Sequence, residues 1–147
     1  MLVMARDRDY PDLLGILKGK RVAIWTCNTC ARLCNGIGGT DSCGRLAERL
    51  AEDGVEITGV YATSASCLES KVKDKAGDIL SKDPDIILSI TCSVGSECAS
   101  RIFSRECVNP RETFGYGYLT SEGMPVLSSR DGDIQVTELS SRCSSYI

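Results

Sequence analysis

Four cysteines stand at or shortly after the ends of three short apolar segments, and thiolates at such positions can bind a metal centre together. Cys27 and Cys30 follow the first segment, Cys67 follows the second and Cys92 follows the third. If the segments are parallel β-strands, their carboxyl ends lie along one edge of a sheet, where open α/β folds place their ligands. Four thiolates that converge there suit an iron–sulfur cluster or a zinc ion.

The numbers of cysteine and histidine residues limit the reactions that this chain can carry out. The chain has nine cysteines and no histidine among its 147 residues. In a chain without an export signal, this many cysteines indicate metal ligation, because the cytosol keeps thiols reduced. The absence of histidine excludes Ser-His-Asp and Cys-His catalysis and Rieske-type ligation. No catalytic residue is therefore assigned, and any chemistry must use sulfur, carboxylates, backbone dipoles or a cofactor.

The first cysteine loop is the richest in candidate groups. In Cys27-x-x-Cys30 two sulfurs can bind one metal centre, and Cys34 is a ligand, a spare thiol or a redox partner. Gly38 and Gly39 would let backbone amides approach sulfur. The helix predicted after them favours an anionic centre at its amino end.

Short β-rich segments alternate with helical patterns along the chain. Strands are predicted over 21–26, 55–62 and 85–91, and amphipathic helices over 40–53 and 71–81. Thr40 or Asp41 can cap the first of these helices. The alternation predicts an α/β fold of βαβ units: three layers, a mostly parallel sheet, and the cysteine loops at its carboxyl edge.

Length, charge and hydropathy exclude several classes of protein. At 147 residues the chain is expected to form a single domain over 1–147, large enough to bury a core without crosslinks. The net charge of −3 and the lack of a basic run predict no nucleic-acid partner. No apolar segment reaches the length of a membrane span, and residues 1–10 lack a signal peptide's apolar segment. A cytoplasmic protein without a membrane partner is expected.

The other cysteines have ordinary structural interpretations. Cys43, Cys98 and Cys107 lie in helical or loop context and are expected to pack as small apolar side chains. Cys143 lies near a Ser-rich tail and is expected to have no role. Cys34 and Cys98 remain alternatives to one of the four candidate ligands.

Two aromatic features lie beside or beyond the cysteine loops. Trp25 is most simply a core residue of its strand, although it could also shield a cluster from water. Residues 114–118, Phe-Gly-Tyr-Gly-Tyr, are either a docking surface or a buried turn. A hairpin turn is predicted at 130–133.

The order and spacing of the cysteine loops resemble a known family, the methylenetetrahydrofolate reductase C-terminal domain family. The matching features are Cys27-x-x-Cys30-x-x-x-Cys34, Gly38-Gly39, a lone Cys67 and Cys92-Ser-Val-Gly95. The family includes the small MetV-type subunit of acetogenic methylenetetrahydrofolate reductases, and the likeness covers about residues 20–119. It implies an iron–sulfur cluster held by Cys27, Cys30, Cys67 and Cys92, and a flavin-containing reductase of one-carbon metabolism as partner.

Two departures from the family pattern shape the expectation. Longer MetV-type subunits carry a further cysteine-rich segment, whereas the extension 120–147 contains only Cys143, so one [4Fe–4S] cluster is expected. Ser93 stands where the family usually has glycine. The expected role is electron transfer or structural support, as a non-catalytic subunit of a flavin-dependent methylenetetrahydrofolate reductase in an anaerobe.

Two other classes of function would use the same cysteines. In a zinc-binding interaction module, the four thiolates form a closed tetrahedral site with a structural zinc ion. In a dithiol oxidoreductase, Cys27 and Cys30 cycle between thiol and disulfide, with Cys27 as nucleophile. The dithiol interpretation leaves Cys67 and Cys92 without a role. The zinc interpretation leaves the glycine-rich surroundings of the sulfurs unexplained.

Overall fold

A computed structural model describes residues 2–7, 9–33, 38–123, 125–127 and 134–135. Cys34, Cys143 and the hairpin turn predicted at 130–133 lie outside these described residues. In chain order the elements are β1 (Leu2–Asp7), α1 (Tyr10–Leu17), β2 (Arg21–Cys27), α2 (Cys30–Leu33), α3 (Thr40–Glu52), β3 (Glu56–Thr63), α4 (Glu69–Ser81), β4 (Ile86–Ile90), α5 (Ser93–Phe103), β5 (Glu106–Val108), β6 (Arg111–Leu119), β7 (Pro125–Leu127) and β8 (Ile134–Gln135).

A four-stranded parallel sheet in the order β3-β2-β4-β5 forms the centre of the fold. In β2, Trp25 is opposite Tyr61 of β3 on one side and Ser89 of β4 on the other. Helix α3 connects β2 to β3, α4 connects β3 to β4, and α5 connects β4 to β5. The α/β fold of βαβ units around a parallel sheet is therefore confirmed.

Side chains of the parallel sheet fill a core on each face. Val22 and Ile24 of β2 pack in a cluster with residues of α1 and α3. Ala23 and Trp25 of the same strand pack in a second cluster with residues of α4 and α5. Because both faces are covered, every residue of β4 is buried, and apart from Ser89 the strand is apolar throughout rather than alternating. The sheet is the middle layer of three, as predicted.

A second sheet, antiparallel and in the order β1-β6-β7-β8, was not expected from the sequence. Leu2 of β1 pairs with Gly117 of β6, so the pairing joins distant parts of the chain and no local turn signal marks it. The buried turn considered at 114–118 is wrong, because these residues belong to β6 and Tyr116 and Tyr118 are exposed. Docking at this surface stays a prediction. Among the described residues, no helix has the length and apolar character needed to cross a lipid bilayer.

The Cys107 thiol predicts a loss of stability at alkaline pH. Cys107 lies on β5 against the second core cluster, and burial raises the pKa of its thiol from 9.0 to about 11. Below pH 9.0 the thiol is neutral in the folded and unfolded states, so its contribution is fully present. Between these two pKa values only the unfolded chain loses the proton, and the free energy of unfolding falls as the pH rises.

We expect urea unfolding to show this fall between pH 9 and pH 11, with about 1 kcal/mol of it absent in Cys107→Ala. The Cys107 side chain is only partly buried, so solvent weakens the effect of its burial on stability. If the free energy of unfolding fell equally with pH in the wild type and in Cys107→Ala, the raised pKa of Cys107 would not be the cause of the fall.

Candidate metal centre

The three cysteine loops lie at the carboxyl edge of the parallel sheet. Cys27 is the last residue of β2, Cys67 lies between β3 and α4, and Cys92 lies between β4 and α5. Because β2 pairs with both β3 and β4, the ends of these three strands lie side by side. These three cysteines and Cys30 line one cavity of about 90 Å³. The fold thus brings together all four residues that the sequence singled out.

The walls of this cysteine cavity are made of small side chains. Besides the four thiols, the lining residues are Thr29, Ala31, Ala65, Ser66, Thr91 and Gly95. Within the described part of the chain, the lining includes no carboxylate and no amine. A bound group would therefore meet sulfur ligands, small apolar surfaces and hydroxyls, which is an environment suited to soft metal ions and iron–sulfur clusters.

The four thiols differ in their access to solvent. Cys27 is buried, with 7% of its surface exposed. Cys30 and Cys92 are half-buried, and Cys67 is exposed. A metal centre in the cavity would have a protected side at Cys27 and an open side at Cys67.

Cys92 is the N-cap residue of α5. Its Sγ accepts a hydrogen bond from the backbone N–H of Gly95 at 3.4 Å. Burial raises the pKa of the Cys92 thiol, the Gly95 N–H lowers it, and the nearby thiols of Cys30 and Cys67 raise it. The neutral thiol is favoured in the free chain, so metal binding would release its proton. The Gly95 N–H and the amino end of α5 would then stabilise the thiolate.

The first loop is tied to the end of β3. The Cys27 thiol donates to the carbonyl oxygen of Ser64 at 3.6 Å, and the Thr29 hydroxyl donates to the same oxygen at 2.6 Å. The backbone N–H of Asn28 donates to the Thr63 carbonyl at 2.8 Å. These bonds hold the loop that carries Cys27 and Cys30 against the segment that leads to Cys67.

The start of α3 differs from the prediction. Gly39 is its N-cap residue, with a φ of 91° that favours glycine, and Thr40 is the first helical residue. The Thr40 N–H is bonded at 3.0 Å to Oδ1 of Asn28, twelve residues earlier. The prediction that Thr40 or Asp41 caps the helix is wrong. The Asn28 side chain of the first loop accepts the hydrogen bond from the free N–H of the first helical residue instead.

Among the described residues, the nearest neighbours of Gly38 and Gly39 belong to α2. A Cβ on Gly38 would lie 2.3 Å from the Ala31 carbonyl oxygen, and a Cβ on Gly39 would lie 2.8 Å from Cγ of Arg32. The Gly39 N–H donates to Oγ1 of Thr26 at 2.9 Å. The two glycines therefore allow close packing of the loop on its own short helix.

Cys43, Cys98 and Cys107 pack with apolar neighbours, as predicted. Cys43 is fully buried in the cluster between α3 and the sheet, and the other two pack against the second cluster. None of the three lines the cysteine cavity. Burial raises the pKa of the Cys98 thiol, and the carboxylate of Glu69 adds to the rise.

Ser66 is a site residue that the sequence analysis missed. Its Oγ accepts a hydrogen bond from Nε1 of Trp25 at 2.8 Å and donates to the Gly95 carbonyl at 2.8 Å. Trp25 is fully buried and packs edge-on against Phe103, with ring centroids 5.1 Å apart, which confirms its place in the core. The available signal was the indole N–H, which needs a partner when buried.

A larger and more open cavity of about 580 Å³ lies at the start of α3. Asn28, Arg32, Gly39, Thr40 and Arg45 are among its lining residues, and no described cysteine is. It is thus separate from the cysteine cavity.

Among the residues with described positions, no three Cys, Asp or Glu side chains are arranged to bind a metal ion together. The four thiols surround the cysteine cavity without meeting at one point. Comparison of the chain with protein-family models, with curated proteins and with solved structures finds no significant match. The geometry of the cysteine cavity and the pattern of the loops are therefore the basis for a functional proposal.

Close packing at Gly38 predicts that Gly38→Ala destabilises the protein. The added Cβ would meet backbone atoms of Ala31, which cannot move as a side chain can, and we expect a loss of about 1–3 kcal/mol in the free energy of unfolding. Gly44→Ala in α3 is the matched control, because its Cβ would meet nothing within 4 Å. That change should stabilise the helix by up to about 1 kcal/mol. Chemical unfolding measures both, and equal effects would contradict the packing role of Gly38.

Proposed function

We propose that Cys27, Cys30, Cys67 and Cys92 bind one [4Fe–4S] cluster at the carboxyl edge of the parallel sheet. The observation that carries this proposal is that all four cysteines line one small cavity, although they come from three separate loops. In a chain rich in free thiols, metal ligation is the usual reason for such a grouping.

The donor set of the cavity fits a cluster. Its ligands would be thiolates only, which iron–sulfur clusters prefer. The small lining side chains leave room between the sulfurs, and the Gly95 N–H already points at the sulfur of Cys92. Hydrogen bonds of this type adjust the properties of a bound metal centre. The cluster, when bound, would supply one-electron redox chemistry.

A cluster and a zinc ion place different demands on the four thiols of the cysteine cavity. A closed zinc site needs each sulfur about 2.3 Å from one metal ion, so its four sulfurs lie about 3.8 Å from one another. No such compact group of ligands occurs in the described ranges. A cluster presents a separate iron atom to each thiolate, so its ligands stand farther apart. The two centres therefore require different sulfur–sulfur distances, and metal analysis of the reconstituted protein distinguishes them.

The surroundings of Cys27 argue against a dithiol oxidoreductase. A cysteine that attacks an incoming disulfide must be accessible and must favour the thiolate. Cys27 is buried, and its thiol donates to the Ser64 carbonyl oxygen. Cys30 alone of the pair has partial access to solvent.

For the role of the cluster, we propose a small iron–sulfur subunit of MetV type. It would support electron transfer to a flavin-dependent methylenetetrahydrofolate reductase in anaerobic one-carbon metabolism. The order of the three cysteine loops supports this role. The flavin-containing subunit would be the partner and would carry catalysis, because this chain has no histidine for proton transfer. The reducing cytoplasm suits its thiols, and no disulfide forms between the cysteines that the structure describes.

The ligand assignment predicts the spectrum of anaerobically reconstituted protein. The wild type should be brown, contain iron and sulfide in the ratio of a [4Fe–4S] cluster, and bleach with a strong reductant. Cys67→Ala and Cys92→Ala should lose the cluster or hold it in a labile form, because one iron loses its thiolate. The absorption spectrum and the iron content measure both effects.

Cys43→Ala and Cys107→Ala are matched controls, since these cysteines lie outside the cysteine cavity, and their spectra should equal that of the wild type. Loss of the cluster in Cys34→Ala or Cys98→Ala, with retention in Cys67→Ala, would show that the ligand set is wrong. Colourless protein with stoichiometric zinc would instead favour the zinc-binding interaction module.

The proposed role predicts that the chain alone does not reduce methylenetetrahydrofolate. Reduction should require a flavin-containing subunit, and native purification under anaerobic conditions should recover the two together. A free monomer with thiol–disulfide activity that persists after metal removal would favour the dithiol enzyme.

A further inference from the structure

A chain of buried hydrogen bonds links two cysteine loops to the core. The indole N–H of Trp25 donates to the Ser66 hydroxyl at 2.8 Å, and this hydroxyl donates to the Gly95 carbonyl at 2.8 Å. Trp25 is fully buried, and Ser66 is 1% exposed. An indole N–H can only donate and a carbonyl can only accept, so the hydroxyl between them is fixed in direction.

Two members of this series of hydrogen bonds, Ser66 and Gly95, lie next to candidate ligands. Ser66 directly precedes Cys67. Gly95, whose carbonyl accepts from Ser66, also donates its own N–H to the sulfur of Cys92. Gly95 therefore connects the Ser66 hydroxyl, which lies next to Cys67, with the sulfur of Cys92.

The two loops also pack tightly where they meet. A Cβ on Gly95 would lie 3.0 Å from Cβ of Ser66 and 3.2 Å from Cβ of Thr91. A side chain at position 95 would therefore fit only if a neighbour shifted, which shows that the backbone at Gly95 approaches Ser66 closely. The edge-on contact with Phe103 holds the Trp25 ring in turn, so the hydrogen-bond chain begins on a rigid support.

We propose that Trp25 and Ser66 are positioning residues for the metal centre, which set the distance between Cys67 and Cys92 and the hydrogen bond from Gly95 to sulfur. This proposal rests on the proposed function, because it concerns the same cluster. A donor that points at a ligand sulfur stabilises the extra electron of the reduced form, so its alignment influences the reduction potential. Loss of either link should lower the potential and make the cluster easier to lose.

The test compares Ser66→Ala, Trp25→Phe and the double variant with the wild type, all reconstituted anaerobically. The measurements are a redox titration followed by electron paramagnetic resonance, the rate of cluster loss to an iron chelator, and thermal unfolding of the metal-free protein. We expect each single variant to have a lower potential and to lose its cluster about tenfold faster. The double variant should match Ser66→Ala, because that change already removes both hydrogen bonds of the series.

Thr58→Val is the matched control. It removes a hydroxyl on β3 that donates to the Val22 carbonyl at 3.3 Å, away from the cysteine loops. It should change the unfolding temperature without changing the potential. Comparison with this control shows whether a lower unfolding temperature by itself changes the reduction potential.

The outcomes separate the two proposals. A wild type that takes up no cluster overturns both. A cluster-bearing wild type whose potential and rate of cluster loss stay the same in Ser66→Ala overturns only the positioning role. Additive effects of Ser66→Ala and Trp25→Phe on the potential overturn it as well, since they would show that the two residues act separately.

Discussion

The parallel pairing of β2 with a strand on each side is the constraint on which the candidate centre depends. Parallel strands cannot be joined by tight turns, so each must return through a crossover helix. The loop that leaves each strand therefore emerges at the same edge of the sheet. Cys27 ends β2, and Cys67 and Cys92 lie in the loops that follow β3 and β4. The pairing of β2 with β3 and with β4 makes these three positions neighbours.

The sequence predicted the part of the structure that local patterns specify. The strands at 21–27, 56–63 and 86–90 lie within about two residues of their predicted ends, because apolar β-rich runs after glycine or proline mark them directly. The grouping of the cysteines at one edge followed from these strands and from the rule for parallel sheets. Neither conclusion required knowledge of a distant contact.

What the sequence could not predict depends on long-range partners. The Thr40 N–H is bonded to Asn28, and the indole of Trp25 finds Ser66 forty-one residues later. Strand β1 pairs with β6, and Leu2 of β1 lies opposite Gly117, which is far away in the sequence. Hydrogen-bonding capacity was visible in each residue type, but the choice among many possible partners is made by packing. Gly38 and Gly39 show the same limit, because their nearest neighbours among the described residues are Ala31 and Arg32 of α2.

The lining of the cysteine cavity has a consequence for how electrons and protons would be coupled. Its described residues offer hydroxyls, small apolar groups and thiols, and no carboxylate or amine. Once the thiols are bound as thiolates, no group in that lining is left that changes its protonation near neutral pH. A redox change there would proceed without a protein-held proton beside it. If a cluster is bound there, as we propose, a change in its charge would have no carboxylate or amine among the described lining residues to compensate it.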